Sequence, residues 1–350
     1  MTASTAALSS IDPDLPRGCT FDADDWAILA RHWYPIALAR DLGDKPVATR
    51  LLDEPLVIYR ADGALVVGRD ICPHRGVPLS LGEQTAGGVV CAYHGLRFGE
   101  GGKCNHVPAH PAREIPARLH IRTYPHIERY GLIWTCLRPE GEPIIPDMPH
   151  WDEPEFQQIV CPTIDIMGFA GRQMEGFLDV AHFAFVHTET FGDANNAEVP
   201  AYKPAVTPYG FEAQYRSSVG NYPIGAVDRG KPGFEWLRHF RTHLPFTATL
   251  EIHFPGEARL VIMNAASPVS AKVTTLFAPI ARNFDKDLPV QDVYDFNRRV
   301  FLEDKAIVEA QMPECLPLDP LMEAHIPADM SSLAYRRGLR DMGLSRFFTA

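Results

Sequence analysis

The sequence predicts an α+β protein, in which an N-terminal all-β domain precedes a C-terminal domain with an antiparallel sheet and covering helices. Two observations carry this prediction. The chain has 350 residues, which is more than a single hydrophobic core usually supports. Short strand patterns fill its first part, whereas extended helical patterns occur only further on. We expect domains at residues 26–140 and 141–350, with residues 1–25 packed on the second domain.

The composition excludes several classes of protein. The formal net charge of −11 disfavours nucleic acid and anionic membranes as partners, because an acidic surface is repelled by both. The first twenty residues lack the cationic start and apolar centre of a signal peptide, and no apolar run is long enough to cross a bilayer. Seven cysteines, an odd number, do not suit a disulfide framework. We expect a soluble, cytoplasmic, globular protein.

The N-terminal domain is predicted as a series of short hairpins. The strands "LVIYR" and "ALVVGR" flank "ADG", whose Asp-Gly pair suits a tight turn. The stretches "GVVCAYHGLRF" and "YGLIWTCL" continue the strand pattern. Around Arg138 the chain becomes rich in proline and acidic residues, which is typical of a connection between two domains.

The C-terminal domain mixes helices and strands. The run "MEGFLDVAHFAFVH" has helical character, and "FTATLEIHF" and "ARLVIMNAA" are strand-like. A long helix is predicted from about Val290 to Met312, because Pro289 and Pro313 bound a stretch without helix breakers.

Two short motifs in the N-terminal domain each pair one cysteine with one histidine. Cys72 and His74 lie in "CPH", and Cys91 and His94 lie in "CAYH". A zinc finger usually takes its two cysteines from one element and its two histidines from another, so a structural zinc site is the weaker alternative. One cysteine and one histidine from each of two loops suit a Rieske [2Fe-2S] cluster. The two thiolates would hold the inner iron, and the two imidazoles would hold the outer, solvent-facing iron.

A second constellation lies in "EGFLDVAHFAFVH" of the C-terminal domain. Asp179 and His182 share a face of a regular helix, but His187 is five residues further on and would point away from that face. Five-residue spacing is the spacing of a π-bulge, which often marks a functional site. We therefore expect a widened or irregular turn between the two histidines.

The predicted C-terminal helix supplies a third candidate ligand. Asp304 lies on its apolar stripe, four residues after Val300 and three before Ile307. A carboxylate on a buried face is unfavourable unless it is paired or binds a metal. Its neighbour Glu303 is expected to point away from the stripe.

His182, His187 and Asp304 together match the two-histidine, one-carboxylate triad of non-haem Fe(II) sites, which leaves positions free for O2 and substrate. The alternative for each histidine is an ordinary core imidazole that is hydrogen-bonded to the backbone. The Cys/His motifs favour the iron site, because oxygen chemistry at Fe(II) needs electrons that arrive singly.

These motifs identify a resemblance to the catalytic α subunit of Rieske non-haem iron oxygenases. It extends from "RHWYPIALARDL" through both metal motifs to "FLEDKAIVEAQ". The chain is most similar to the α-only branch that includes dicamba and vanillate O-demethylases and methylxanthine N-demethylases. One departure is Gly176, where members of this branch often have asparagine.

The resemblance implies a head-to-tail homotrimer, in which Asp179 bridges His94 of the partner subunit and His182 of its own chain. It implies electrons from NADH or NADPH through a reductase or ferredoxin, since this chain has no G-x-G-x-x-G turn after a strand. It also implies hydroxylation or oxidative demethylation of an aromatic or heteroaromatic small molecule. Loose pocket candidates are Phe183, Phe185, Phe240, Phe246, Leu250 and Ile262.

Three alternatives remain open on the sequence. The same metals are used by ring cis-dihydroxylating dioxygenases, and only the product distinguishes the two reactions. A Rieske electron carrier would need no second domain. A binding module stabilised by a structural zinc ion would be colourless, and its absorbance would not change on addition of a reductant.

Overall fold

A computed structural model describes residues 14–217 and 234–345 and confirms the predicted α+β class. Within these ranges the strands form four antiparallel sheets, three small ones in the first part of the chain and one of nine strands in the second. Residues 1–13, which belong to the segment expected to pack on the second domain, lie outside the described residues.

From residue 14 onwards, the N-terminal part contains one α-helix, three short 3-10 helices and three small sheets. Helix α1 spans Ala23–Leu29 and begins at Asp22, whose side chain accepts a hydrogen bond from the Asp24 N–H. The sheets have the strand orders β1-β11-β10, β2-β3-β4-β9 and β5-β6-β7-β8. The strands are β1 Tyr34–Leu38, β2 Val47–Leu51, β3 Glu54–Ala61, β4 Ala64–Arg69, β5 Glu83–Thr85, β6 Gly88–Val90, β7 Arg97–Phe98, β8 Cys104–His106, β9 Thr123–Tyr124, β10 His126–Arg129 and β11 Leu132–Thr135.

The predicted Asp-Gly hairpin is present between β3 and β4. Asp62 and Gly63 both have positive φ, 51° and 87°, as the tight turn of a two-residue hairpin requires. The turn fixes the register in which Ala61 faces Ala64. In β3, the buried Tyr59 donates a hydrogen bond from its hydroxyl to the Gly99 carbonyl, 2.9 Å away, and so ties this sheet to the sheet that carries the Cys/His loops.

The C-terminal part is built on one antiparallel sheet with the order β12-β20-β18-β17-β16-β15-β14, to which β19 and β13 are added beside β18. Phe240, Leu250 and Ile262 lie side by side across three neighbouring strands. Their shared face is covered by helices, since α2 packs on β18 and also contacts α4 and α5. The elements are β12 Gln157–Val160, β13 Ile164–Ile166, α2 Ala170–Leu178, α3 Phe183–Val186, β14 Ala205–Thr207, β15 Gly210–Ser217, β16 Trp236–His243, β17 Thr247–His253, β18 Arg259–Ser270, β19 Val273–Phe277, β20 Pro279–Arg282, α4 Val290–Val308 and α5 Met330–Asp341.

Two helical predictions need correction. The long helix begins after Pro289 as expected but ends at Val308, short of Met312. The run around the two histidines is not one helix with a widened turn. Helix α2 stops at Asp179, whose φ of −77° and ψ of 135° are extended, and α3 is a separate short helix. The irregular turn expected between His182 and His187 is instead the short helix α3, and the helix break lies before His182.

None of the helices in the described ranges is both long enough and apolar enough to span a membrane.

Candidate functional site

The two Cys/His motifs lie at the tips of two loops with the same backbone hydrogen bonds. Cys72 N–H donates to the Val77 carbonyl, and Gly76 N–H donates back to the Cys72 carbonyl, at 2.9 and 2.8 Å. The second loop repeats the pattern from Cys91 to Leu96 at 2.8 Å and from Gly95 to Cys91 at 3.0 Å. Both glycines have positive φ, 74° and 68°, which a side chain would strain.

The structure brings the four predicted ligands of these loops together. The Cys72 and Cys91 side chains are buried, whereas His74 and His94 are exposed. The two imidazole rings are 4.6 Å apart between centroids, and Tyr93 packs on His94 at 3.8 Å. The thiols thus form the inner half of the group and the imidazoles the outer half.

The chemistry of this donor set fits the predicted cluster. Burial, with a smaller contribution from the neighbouring Cys91, raises the pKa of the Cys72 thiol to about 11. Two adjacent thiolates in this position are therefore unfavourable unless positive charge is bound between them. A [2Fe-2S] cluster supplies that charge, and its outer iron would be reached by the two exposed imidazoles.

The second predicted constellation also converges. His182 immediately precedes α3, and His187 immediately follows it, so the break after α2 turns both rings inwards. Asp304 approaches them from α4. His182 Nε2 and His187 Nε2 are 3.1 Å apart, and Asp304 Oδ1 is 3.4 Å and 3.1 Å from them. Within the part of the chain that is described, this is the group of three ligand atoms able to hold one metal ion.

The outer nitrogens of both rings are occupied by carboxylates. His182 Nδ1 lies 3.2 Å from Asp179 Oδ2, and His187 Nδ1 lies 2.7 Å from Glu303 Oε2. Because a carboxylate only accepts, each Nδ1 donates its proton to that carboxylate, and each Nε2 is left facing the other ring and Asp304. A metal ion that displaces any proton on Nε2 would be held by these three atoms, which is the fit expected of an iron site.

The expectation that Glu303 points away from the apolar stripe is wrong. Glu303 follows Val300 by three residues, and residues three apart lie near the same face of a helix. This spacing could have predicted that Glu303 points towards the interior. Thr190 was missed as well, and its hydroxyl donates to the same Glu303 oxygen over 2.8 Å. Both partners of Glu303 are far away in the chain, and no local pattern indicates them.

The site favours positive charge even without a metal. Burial opposes protonation of His182, but hydrogen bonds to Asp179 and Asp304 outweigh it and raise the pKa of His182 to about 9. Burial would likewise raise the pKa of Asp304, yet hydrogen bonds from His182 and His187 hold that pKa below its usual value. The carboxylates are therefore charged, and they attract a cation to the point where the three ligand atoms meet.

An apolar cavity opens onto the three converging residues. Of the six pocket candidates, Phe183, Leu250 and Ile262 line it. Phe240 packs behind the cavity against Phe177, whose ring centroid is 6.0 Å away. Phe246 is buried against Tyr34 and Phe169, and Phe185 is 65% exposed. The remaining lining residues are Phe177, Phe191, Ile252, Leu260, Val293, Phe296, Asn297, Val300 and Phe301.

Comparison with known proteins gives the same assignment for both parts of the chain. Residues 32–125 match the Rieske [2Fe-2S] domain, and residues 171–344 match the vanillate O-demethylase oxygenase C-terminal domain. The chain is 31% identical over 330 residues to methylxanthine N1-demethylase NdmA of Pseudomonas putida, which covers 91% of this chain and 90% of that protein. It is 37% identical to the oxygenase component of dicamba O-demethylase of Stenotrophomonas maltophilia over 163 residues, 44% of this chain and 46% of that protein.

A solved structure extends the similarity to the whole fold. The structure of Pseudomonas putida NdmA with caffeine superposes with a TM-score of 0.80 at 30% identity, over 91% of this chain and 92% of that one. The chain is thus an oxidoreductase of the monooxygenase or demethylase type with a Rieske [2Fe-2S] domain. With these matches over both domains, it belongs to the Rieske-type oxygenases whose C-terminal domain is that of vanillate O-demethylase.

Proposed function

We propose that this chain oxidatively demethylates an uncharged aromatic or heteroaromatic molecule at a mononuclear Fe(II) site held by His182, His187 and Asp304. The observation that carries the proposal is the meeting of two imidazole Nε2 atoms and one carboxylate oxygen within 3.4 Å of one another, at the wall of an apolar cavity. Two histidines and one carboxylate leave coordination positions free for O2 and substrate.

Cys72 and Cys91 would hold the inner iron of the Rieske cluster, and His74 and His94 would hold its outer iron. When bound, the two metal groups supply one-electron transfer and activation of O2. The protein's own side chains orient the metal ligands and shield the substrate from water. Asp179 and Glu303 keep the protons of His182 and His187 on Nδ1, and the phenylalanine and aliphatic walls of the cavity exclude water from the substrate.

Asp179 is proposed to link the two centres across a subunit interface of a head-to-tail homotrimer. One of its oxygens accepts from His182 Nδ1, the other accepts from Ala181 N–H, and its side chain is 28% exposed. A second imidazole can therefore reach it from outside, and His94 of the partner subunit is the candidate. Two exposed aromatic side chains, Phe185 at 65% and Tyr93 at 61% exposure, are candidates for burial in such an interface.

The charge of the cavity supports an uncharged substrate. No lysine or arginine lines it among the residues described, and the acidic residue in its wall is Asp304. A carboxylate substrate would be repelled there, whereas a neutral ring would be bound by the aromatic walls. The named relatives include demethylases that act on methylxanthines and on dicamba, and the cavity favours a neutral substrate of the first kind.

The remaining parts of the proposal concern context. Electrons come from NADH or NADPH through a separate reductase, with or without a ferredoxin. A role in aromatic catabolism and a cytoplasmic location are proposed, and the lack of a disulfide at any of the seven cysteines agrees with a reducing compartment. We keep the division into residues 26–140 and 141–350. A separate buried cluster around Val57, Val89 and Phe98 in the first part supports it.

The test is product analysis with purified protein, a surrogate reductase and NADH. The panel contains neutral N-methyl and O-methyl heteroaromatics, methoxybenzoates, and unmethylated rings. We expect formaldehyde in step with loss of a methyl group, and higher kcat/KM for the neutral compounds than for the carboxylates. A product heavier by two oxygens and two hydrogens, without formaldehyde, would show ring cis-dihydroxylation, which is the alternative function.

A further inference from the structure

Glu303 touches neither a predicted iron ligand atom nor the cavity, yet it contacts His187 directly. We propose that Glu303 is a positioning residue, which fixes the orientation and the tautomer of His187. Its Oε2 accepts the His187 Nδ1 proton over 2.7 Å and the Thr190 hydroxyl proton over 2.8 Å. The proposal rests on the proposed function, because it takes His187 as an iron ligand.

Hydrogen bonds fix the backbone around His187, so the His187 side chain can change only the orientation of its ring. The His187 carbonyl accepts hydrogen bonds from the next turn, from Thr190 N–H at 3.0 Å, Phe191 N–H at 2.9 Å and Gly192 N–H at 2.7 Å. The Phe191 ring stacks on the imidazole with centroids 4.5 Å apart and planes 28° apart. Stacking restricts tilt but leaves the ring free to flip, and the bond to Glu303 selects one of the two flipped orientations.

Consecutive residues of α4 contact opposite sides of this imidazole. Successive residues on a helix diverge by about 100°, and Glu303 reaches the Nδ1 side of His187 while Asp304 Oδ1 lies 3.1 Å from Nε2. Helix α4 therefore positions both Glu303 at Nδ1 and Asp304 at Nε2 of the same ring. A single rotation or shift of α4 would disturb both contacts together.

The two histidines are held unequally. The His187 side chain is 2% exposed and its Nδ1 bond to Glu303 is 2.7 Å long, whereas His182 is 16% exposed and its bond to Asp179 is 3.2 Å long. His187 is thus the buried and more tightly oriented member of the pair. Carboxylate partners of ligating histidines typically change metal affinity or activity by about 10- to 100-fold when they are removed.

The experiment is a competitive Fe(II) titration of the full-length protein in which the Rieske cluster is retained. Glu303→Ala is expected to raise the Fe(II) dissociation constant by about 10- to 100-fold. Glu303→Gln keeps an oxygen acceptor for Nδ1 and is expected to bind within a few-fold of wild type. Asp304→Ala serves as the reference for loss of the site. Glu309→Gln is the matched control, because Glu309 lies at the end of α4 and pairs with Lys305 at 3.5 Å.

A second readout separates positioning from general destabilisation. The nitrosyl adduct of the ferrous site is expected to change its electron paramagnetic resonance spectrum in Glu303→Ala and to regain the wild-type spectrum in Glu303→Gln. The visible absorbance of the Rieske cluster reports an intact fold in every variant. If Glu303→Ala loses that absorbance, Glu303→Asp takes its place, since the shorter side chain withdraws the carboxylate from Nδ1 and is likewise expected to weaken binding.

The outcomes are distinct. Wild-type Fe(II) affinity in the Glu303 variant, together with loss of iron in Asp304→Ala, overturns the role of Glu303 and leaves the iron site standing. Wild-type affinity in both variants overturns the iron site itself, and with it the proposed function. Weakened binding in Glu303→Ala that is restored in Glu303→Gln supports the proposal.

Discussion

Glu175 on α2 and Arg336 on α5 form a two-point ion pair in the protein interior. The guanidinium donates from Nε to Oε1 at 2.6 Å and from Nη2 to Oε2 at 2.8 Å, and the two residues are 8% and 4% exposed. Arg172 and Glu323 complete a group of two cations and two carboxylates. The Asp179 N–H donates to the Glu175 carbonyl at 3.0 Å, so the pair fixes the end of the helix that leads to the proposed iron site.

Removing Arg336 should destabilise the fold strongly. Arg336→Met leaves Glu175 buried with Arg172 as its remaining cation at 3.4 Å. Loss of one partner of a buried ion pair costs about 3 kcal/mol or more, because the other charge is left without compensation. Urea unfolding should show this decrease in the free energy of unfolding. The control is Arg31→Met, which breaks an exposed pair with Glu140 and should change stability by less than about 1 kcal/mol. Equal effects of the two substitutions would contradict the prediction.

The same group predicts a dependence of stability on pH. Burial would raise the pKa of Glu323, but hydrogen bonds from Arg172 and Arg336 outweigh it and lower the pKa below its usual value. A carboxyl group with a lowered folded-state pKa stabilises the protein above its unfolded-state pKa of about 4.3. That contribution is lost as the pH falls through the lower, folded-state value. Denaturation curves should show a shallower loss of stability on acidification for Glu323→Gln than for the wild type. Parallel curves would show that Glu323 does not contribute.

The glycines of the Rieske loops should be needed for cluster retention. Gly95 has a φ of 68°, and a Cβ there would lie 3.0 Å from Pro108 Cγ. Gly95→Ala combines backbone strain with a close contact, so we expect a lower content of iron and acid-labile sulfide in the purified protein. Gly43→Ala is the control, because Gly43 has no such φ and no atom within 4 Å of an added Cβ. Full cluster content in Gly95→Ala would show that the loop tolerates a side chain.

The features that were predictable from sequence are those that a short stretch of chain determines. The Asp62-Gly63 turn needs only two residues of positive φ, and the sequence supplies residues that adopt it. The Cys/His loops also depend on nearby residues alone, because each loop contains a glycine and forms its backbone hydrogen bonds within itself. Asp304 was found because a carboxylate interrupts an apolar stripe, which is a pattern within one helix.

The features that were missed depend on distant partners. The helix break after α2 could not be predicted from a proline or glycine, because the residue at that position is Asp179. The Asp179 side chain accepts hydrogen bonds from the Ala181 N–H and the His182 ring. Glu303 was misplaced because its partner His187 is 116 residues away. Phe240 and Ile262 lie on neighbouring strand positions of the same face, yet only Ile262 lines the cavity, because Phe177 covers Phe240. Tertiary packing, which the sequence pattern does not reveal, determines which of these side chains lines the cavity.

The role of Asp179 gives the last prediction. Asp179→Asn keeps an oxygen that can accept from the Ala181 N–H but removes the charge beside His182. We expect retained Rieske cluster, Fe(II) content near that of the wild type, and unchanged reduction of the cluster by the reductase. Turnover should fall by about 10- to 100-fold, because the link between the two centres is weakened. Stopped-flow absorbance should place the loss in the reoxidation of the reduced cluster by O2 and substrate. Asp165→Asn is the control, since Asp165 is exposed and its side chain accepts from the Thr275 hydroxyl. If the variant instead loses iron while its remaining loaded fraction turns over normally, Asp179 is an orienting partner of His182 and not the bridge between subunits.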